Sequence, residues 1–439
     1  MKFSDVARFV EQIEKTTSRL TMTHILADLF KKLKPDEFDK TLYLLQGRVS
    51  PLYDPVEFGM GEKMVIRSIV LALHLEKKLF ESKYQKLGDL GGAVEYFKKQ
   101  YKSFVEKDLS VKEVYESLYE LAIKTGPKSQ EAKINILASL VRQLDPLSCR
   151  YVVRIPLAVL RLGFSDMTVL DALSWMLKGD KSLRPVIEKA YHVQPDLGAL
   201  GKLLKEKGEK GLLDIHPKVF APILMMRAER LSSGEEIVKK IGKAAVEPKY
   251  DGFRLQVHYR KGKREGGEVR LFSRNLEDVS YMYPDLVLGI KKQISAGELI
   301  FEGEAIGFDP YSGNFLPFQE TVQRKRKYGI EEKAKEIPLK FFAFDLLLKN
   351  GKNYINEPFR QRRKELVSSI KTSQDVFKNT ILVASEILTD DPKKLEFIFQ
   401  DAVSKGLEGI VAKRLEGVYQ PGARGWNWIK LKKSYASKI

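Results

Sequence analysis

Apolar residues recur at helical spacing through the first half of the chain. Phe3, Val6, Phe9, Val10 and Ile13 fall on one face of a helix. Val111, Val114, Leu118, Leu121 and Ala122 do the same, as do Ile134, Leu137, Ala138, Val141 and Leu144. Pro35, Gly47, Pro51, Gly59, Gly61, Gly126-Pro127, Pro146, Gly163 and Gly179 separate the segments, and Ser4-Asp5 and Ser110 stand where N-caps are expected. No repeat of fixed period links them. The pattern predicts an all-α region over residues 1–212.

The texture changes near residue 212. Gly211–Pro217 reads as a linker and Pro222 follows it. A short helix is predicted near Gly234–Gly242, and then the period falls to two. Arg254, Gln256 and His258 alternate with Leu255, Val257 and Tyr259, which is the signature of a strand. Val269–Asn275 alternates as well and is joined to that strand by a hairpin at Gly266-Gly267. Leu299–Phe308, Leu339–Leu348, Gly409–Arg414 and Trp426–Lys433 read as further strands, with helices at Glu357–Ile370 and Pro392–Lys405. Residues 213–439 are therefore expected to form an α+β domain with a largely antiparallel sheet.

Composition narrows the picture. The 439 residues carry a formal net charge of +18, which suits a polyanionic partner such as nucleic acid. The single cysteine, Cys149, excludes an internal disulfide and a thiolate zinc site. The five histidines are scattered without metal-binding spacing. No apolar run approaches the ~20 residues of a membrane span, and the N-terminus turns amphipathic and charged at once. A cytoplasmic protein is expected, nucleoid-associated in a prokaryote. Gly88-Asp-Leu-Gly-Gly92 lacks the Lys-Ser/Thr and the spacing of a phosphate loop, so it reads as a turn into the next helix.

The chemistry concentrates in the second half. In Glu247-Pro-Lys-Tyr-Asp-Gly-Phe-Arg254 a lysine precedes a turn-forming Asp-Gly, which would hold Lys249 at the edge of a sheet with Arg254 close by. A lysine acts as a nucleophile only when deprotonated, and its reference pKa is about 10.4. Taken alone, the motif also fits a surface hairpin with a solvated lysine. Other strands carry charge as well. Glu302 and Glu304 lie two apart and share a face, Asp345 follows Phe344, Glu408 opens a strand, and Lys430 and Lys432 share a face. Such a cleft offers oxygen ligands to Mg²⁺, cations to a triphosphate and an aromatic ring to a base.

At this point the sequence resembles the ATP-dependent DNA ligases of archaeal and eukaryotic type, within the covalent lysyl-nucleotidyltransferases. The motifs occur in order: Lys249-Tyr-Asp-Gly-Phe-Arg254, Ser273-Arg-Asn275, Phe301-Glu-Gly-Glu304, Phe342-Ala-Phe-Asp345, Glu408-Gly-Ile-Val-Ala-Lys413 and Trp428-Ile-Lys-Leu-Lys-Lys433. Leu87–Gly91 and Leu160–Leu173 are similar to the helical DNA-binding domain of the same family, so the resemblance spans nearly the whole chain. It implies a helical DNA-binding domain over 1–212 and an adenylation (nucleotidyltransferase) domain over 213–439. It further implies that Lys249 attacks the α-phosphate of ATP and becomes lysyl-AMP. Glu247 would accept from the adenine amino group and Phe344 would stack on the adenine. Arg254 and Arg274 would contact the ribose, the phosphates or the nick 5′-phosphate. Glu304 and Glu408 would position the ribose or Mg²⁺, and Arg424, Lys430 and Lys432 would meet the phosphates. AMP would pass to the 5′-phosphate of a nick in double-stranded DNA, and the 3′-hydroxyl would displace it, in replication, repair and recombination. Arg324, Lys325, Arg326 and Lys327 form a candidate DNA-facing patch, read through the backbone rather than the bases.

Family members of this type continue into an OB-fold domain, whereas this sequence stops at Ser437-Lys-Ile439; sealing by the 439-residue form is expected to be inefficient. A monomer is expected, with a sliding clamp as a further partner. Two other readings share these motifs: a non-catalytic nick-binding protein, and an RNA ligase or capping-type nucleotidyltransferase.

Overall fold

The computed structural model describes residues 1–101, 106–160, 162–262, 266–375 and 378–433. Arg161 of the second helical motif and the terminal Ser437–Ile439 lie outside the described residues. The chain divides into two units, residues 1–191 with 196–215, and residues 192–195 with 216–439.

The first unit runs from α1 (Phe3–Glu14) to α12 (Leu197–Lys207) and has no strand among its described residues. The apolar stripes become its core. Phe3, Val6, Val10 and Ile13 are buried, with Phe9 on the flank of the stripe. Ser110 caps α7 (Val111–Ile123) and forms a capping box with Glu113. The expected cap at Ser4-Asp5 is not formed. Helix α1 begins at Phe3, after Lys2, with Ser4 and Asp5 inside its first turn and without a side-chain cap, because the Phe3 N–H donates across the chain to the Leu109 carbonyl at 2.9 Å. A tertiary backbone bond satisfies a donor that a side chain would otherwise take. The glycine-rich turn leads into a helix, as its spacing suggests. Asp89 caps α6 (Leu90–Gln100) by accepting from the Gly91 and Gly92 N–H groups. Gly91 has no room for a β-carbon, which would lie 2.5 Å from the Arg150 carbonyl oxygen.

The second unit holds two sheets. One has β1 (Arg227–Arg230), β11 (Arg424–Lys432), β10 (Gly409–Arg414), β2 (Ala244–Lys249) and β9 (Ile387–Thr389), in that order. The other has the order β4 (Glu268–Phe272), β3 (Phe253–Arg260), β5 (Glu298–Gly307), β6 (Leu339–Lys349), β7 (Lys352–Asn353), with β8 (Ile381–Val383) also on β6. Pairing is antiparallel except for β1 on β11 and β8 on β6. The sequence pattern does not single out β2, whose Ala-Ala-Val-Glu-Pro-Lys run is short and contains proline. It lies between β10 and β9, so Lys249 stands at the end of an interior strand and not on a sheet edge.

Alternation gives each sheet one apolar face. Val246, Ile410, Ala412, Ile429 and Leu431 pack with α13 (Gly234–Ile241) and α18 (Pro392–Ser404). Leu255, Val257, Tyr259, Phe301, Phe341 and Ala343 pack with α14 (Pro284–Gln293) and α17 (Phe359–Ser369). Fully burying an aliphatic or aromatic side chain stabilises by about 1.5–3 kcal/mol, so these rows fix the register. The opposite faces carry the charged residues.

Candidate active site

Strand register assembles the site. Lys249 on β2 pairs with Gly409 on β10, which pairs with Lys432 on β11. Two residues along, Glu247, Val411 and Lys430 form the next row. Positions two apart share a face, so one sheet presents Glu247, Lys249, Lys413, Lys430 and Lys432 together. Gly409 sits at the crossing point with φ +143, and a β-carbon there would lie 2.0 Å from the Leu431 carbonyl oxygen. Its neighbour Glu408 is thereby set between two lysines: it forms ion pairs with Lys249 and, at 2.7 Å, with Lys432. Burial raises the Glu408 carboxyl, but the bonds to Lys249 and Lys432 outweigh it and hold it below the usual carboxylate value.

The second sheet contributes Arg254, Glu302, Glu304 and Phe344. A cleft of about 780 Å³ is lined by Glu247, Lys249, Arg254, Arg274, Glu304, Phe344, Arg424, Lys430 and Lys432, and by Lys325, Arg326 and Lys327. The Glu304 carboxylate has neither hydrogen bond nor ion pair among the described residues. Burial pushes its carboxyl up to about 7, against the pull of Lys249 and Arg254. Asp251 is likewise raised, by burial first and then by Glu408.

Some predicted groups have other partners. Arg254 donates to Glu302 and, at 2.6 Å, to the Met226 carbonyl, and the Tyr419 hydroxyl bonds to the same Glu302 oxygen at 2.9 Å. Glu302 is fully buried and also accepts from Gln256, so it supports Arg254 from behind. Asp345 does not face the cleft; it is fully buried against Arg362, with bonds of 2.7 and 3.0 Å. Phe344 meets Trp428 edge-on at 5.8 Å, with the Lys413 ammonium 4.8 Å from its centroid. The candidate DNA-facing patch needs one correction. Arg324 is 1% exposed and donates to both oxygens of Asp285 and to the Ile337 carbonyl, while Lys325, Arg326 and Lys327 are exposed. The turn of the short helix after Phe318 rotates Arg324 inward, which a run of four cations does not reveal.

Sequence reasoning places Lys413 at the end of the Glu408–Lys413 motif without giving it a role, and does not single out Arg363. Lys413 lies on β10 four residues from Gly409 and therefore on the cleft face. Arg363 lies on α17 and reaches Glu247 only through the fold.

Residues 225–432 match the family described as ATP dependent DNA ligase domain, and residues 2–174 match the one described as DNA ligase N terminus. The chain is similar to a probable DNA ligase of Dictyoglomus turgidum, 47% identical over 439 residues that cover all of this chain and 73% of that protein. It is similar to a DNA ligase of Staphylothermus marinus, 40% identical over 456 residues that cover all of this chain and 75% of that protein. The solved structure Pmar-Lig_Pre shares the fold, with a TM-score of 0.52 and 17% identity over 97% of this chain and 77% of that one. Two-unit architecture, lysine-centred cleft and relatives define an ATP-using enzyme that joins nucleic acid. The chain belongs to the ATP-dependent DNA ligase family, whose substrate is nicked DNA. The relatives favour neither a non-catalytic nick-binding protein nor an RNA ligase or capping enzyme.

Proposed function

We propose that Lys249 is the nucleophile and that the enzyme seals nicks through lysyl-AMP and 5′-adenylated DNA. The observation that carries this reading is the row Lys249, Glu408, Lys432 at the floor of a cation-lined cleft. The deprotonated Lys249 amine forms a bond to the α-phosphorus of ATP as the α–β anhydride bond breaks, releasing pyrophosphate, with the lysine proton lost to solvent; such a transfer is chiefly a matter of positioning and of neutralising charge. The strand end fixes Lys249. Lys430, Lys432 and Arg424 neutralise the phosphates. Glu408 keeps Lys432 as a partner when Lys249 turns to the α-phosphate, so its carboxylate is not left unpaired. Arg254, held from behind by Glu302, and Arg274, exposed at the rim, bind the ribose or the phosphates. Glu247 and Phe344 form the base end.

Mg²⁺ is part of this proposal. Among the described residues no three acidic, histidine or cysteine side chains converge as a closed metal cage. Mg²⁺ usually takes one or two carboxylates and completes its shell with water and substrate phosphates. Glu304, half-buried and without an ion pair, fits that donor set, with Glu408 beside it. The ion would supply further neutralisation of phosphate charge. Lys325, Arg326 and Lys327 contact the backbone of the nicked duplex.

The test is the intact mass after incubation with ATP and Mg²⁺. The native chain is expected to gain one AMP and Lys249→Ala none. An AMP gain in both proteins would place the nucleophile elsewhere.

A further inference from the structure

Glu247 closes the base end of the cleft and is only 3% exposed. Each of its carboxylate oxygens meets a different cation. Lys413 Nζ lies 2.7 Å from one and Arg363 Nη1 3.2 Å from the other. The two cations are themselves anchored. Lys413 donates to the Phe344 carbonyl at 2.7 Å, and Arg363 to the Ala384 carbonyl and towards Glu386 at 3.5 Å. In the proposed reading the phosphates fall to Lys430, Lys432 and Arg424, which line the same cleft. Two buried cations on one carboxylate are costly to assemble, and leaving either unpaired would cost more.

An ionised carboxylate only accepts hydrogen bonds, whereas a protonated one also donates. We propose that Arg363 and Lys413 are positioning residues that set base selectivity: they hold Glu247 ionised and oriented, so that the cleft takes a purine with a 6-amino group and refuses one with a 6-keto oxygen. An amino group gives Glu247 a donor. A keto oxygen faces it with a second acceptor and leaves buried polar groups unpaired, a mismatch by which sites discriminate strongly. Burial outweighs the pull of Lys413 and Arg363 and leaves the Glu247 carboxyl above its usual value even with both cations in place, so loss of either cation moves it further towards the protonated form, which can donate to a keto oxygen.

This inference rests on the proposed base end, and the experiment separates the two. Nucleotide transfer to Lys249 is measured by intact mass with ATP and with inosine triphosphate, which differs at the 6-position. The readout is the ratio of the two rates within one preparation, from which any loss of folded protein cancels. The native chain is expected to favour ATP strongly. Arg363→Met and Lys413→Met are each expected to lower the ratio by about tenfold or more, and Arg363→Lys to restore most of it. The ratio of dissociation constants for the two nucleotides on a Lys249→Ala background is expected to move in parallel, without chemistry. An unchanged ratio in both methionine variants, with the two rates falling together, would overturn the inference while leaving lysyl-AMP intact. No transfer from either nucleotide to the native chain would overturn both.

Discussion

Arg324 and Arg326 are two residues apart and differ in everything but charge. Arg324 is buried and bidentate to Asp285, while Arg326 is exposed on the cleft rim. Breaking a buried pair by removing one partner costs about 3 kcal/mol or more, because the other charge is left uncompensated. Arg324→Ala is therefore expected to lower the urea midpoint of the second unit, with little change in the salt dependence of DNA binding. Arg326→Ala should leave the midpoint unchanged. It should reduce the slope of log K against log salt by roughly 0.9, the share of a single phosphate that is no longer neutralised. Filter binding of nicked duplex across a salt series measures the slopes. Equal slopes for Arg326→Ala and the native chain would remove Arg326 from the DNA interface.

At the scale of elements, β10 decides the site. It lies between β2 and β11, and its first residue is the glycine that lets them approach. Gly409→Ala must push β10 away from β11, since the obstacle is backbone and not a flexible side chain. Glu408 would then lose its place between Lys249 and Lys432. We expect self-adenylation to fall by at least about a hundredfold, in line with the effect of angstrom-scale misplacement, while circular dichroism retains the helices. An adenylation rate within a few fold of native would mean that the row tolerates a shifted β10. The sequence marks Glu408–Lys413 as a motif. That the motif works through a three-strand row requires the pairing of β2, which local pattern does not reveal.

Across the second unit, buried polar groups link the site to the rest of the fold. His258 is fully buried. Its Nδ1 accepts from the Phe220 N–H at 2.9 Å and its Nε2 lies 2.9 Å from Gln256, which bonds in turn to Glu302 behind Arg254. Burial, helped by Arg270, holds the His258 imidazole down at about 3. Its ordinary unfolded value is about 6.5. Between these values the unfolded chain binds a proton that the folded chain does not, so stability falls as pH drops from about 6.5 towards about 3. The urea midpoint of the second unit should decline through that window. The His258 ring signal in NMR should stay that of the neutral form at about pH 5. A ring that protonates near its ordinary value in the folded protein would contradict this.

By itself the sequence determined the helical first half, the change of period near residue 212, the main strands and the motif residues that line the cleft. Those are local properties: apolar spacing, turn chemistry, and side chains whose type already limits their use. It also carried the family resemblance that the relatives establish. The tertiary structure alone decided which of several similar charges face the cleft. Arg324 and Asp345 turned inward because Asp285 and Arg362 were there to pair with them. Ser4-Asp5 lost its role as a cap because a distant carbonyl took the donor. Lys413 and Arg363 pair with Glu247 because β10 and α17 converge on it. Partners far apart in the chain leave no periodic trace, and a buried charge is recognised only once its counter-charge is in place.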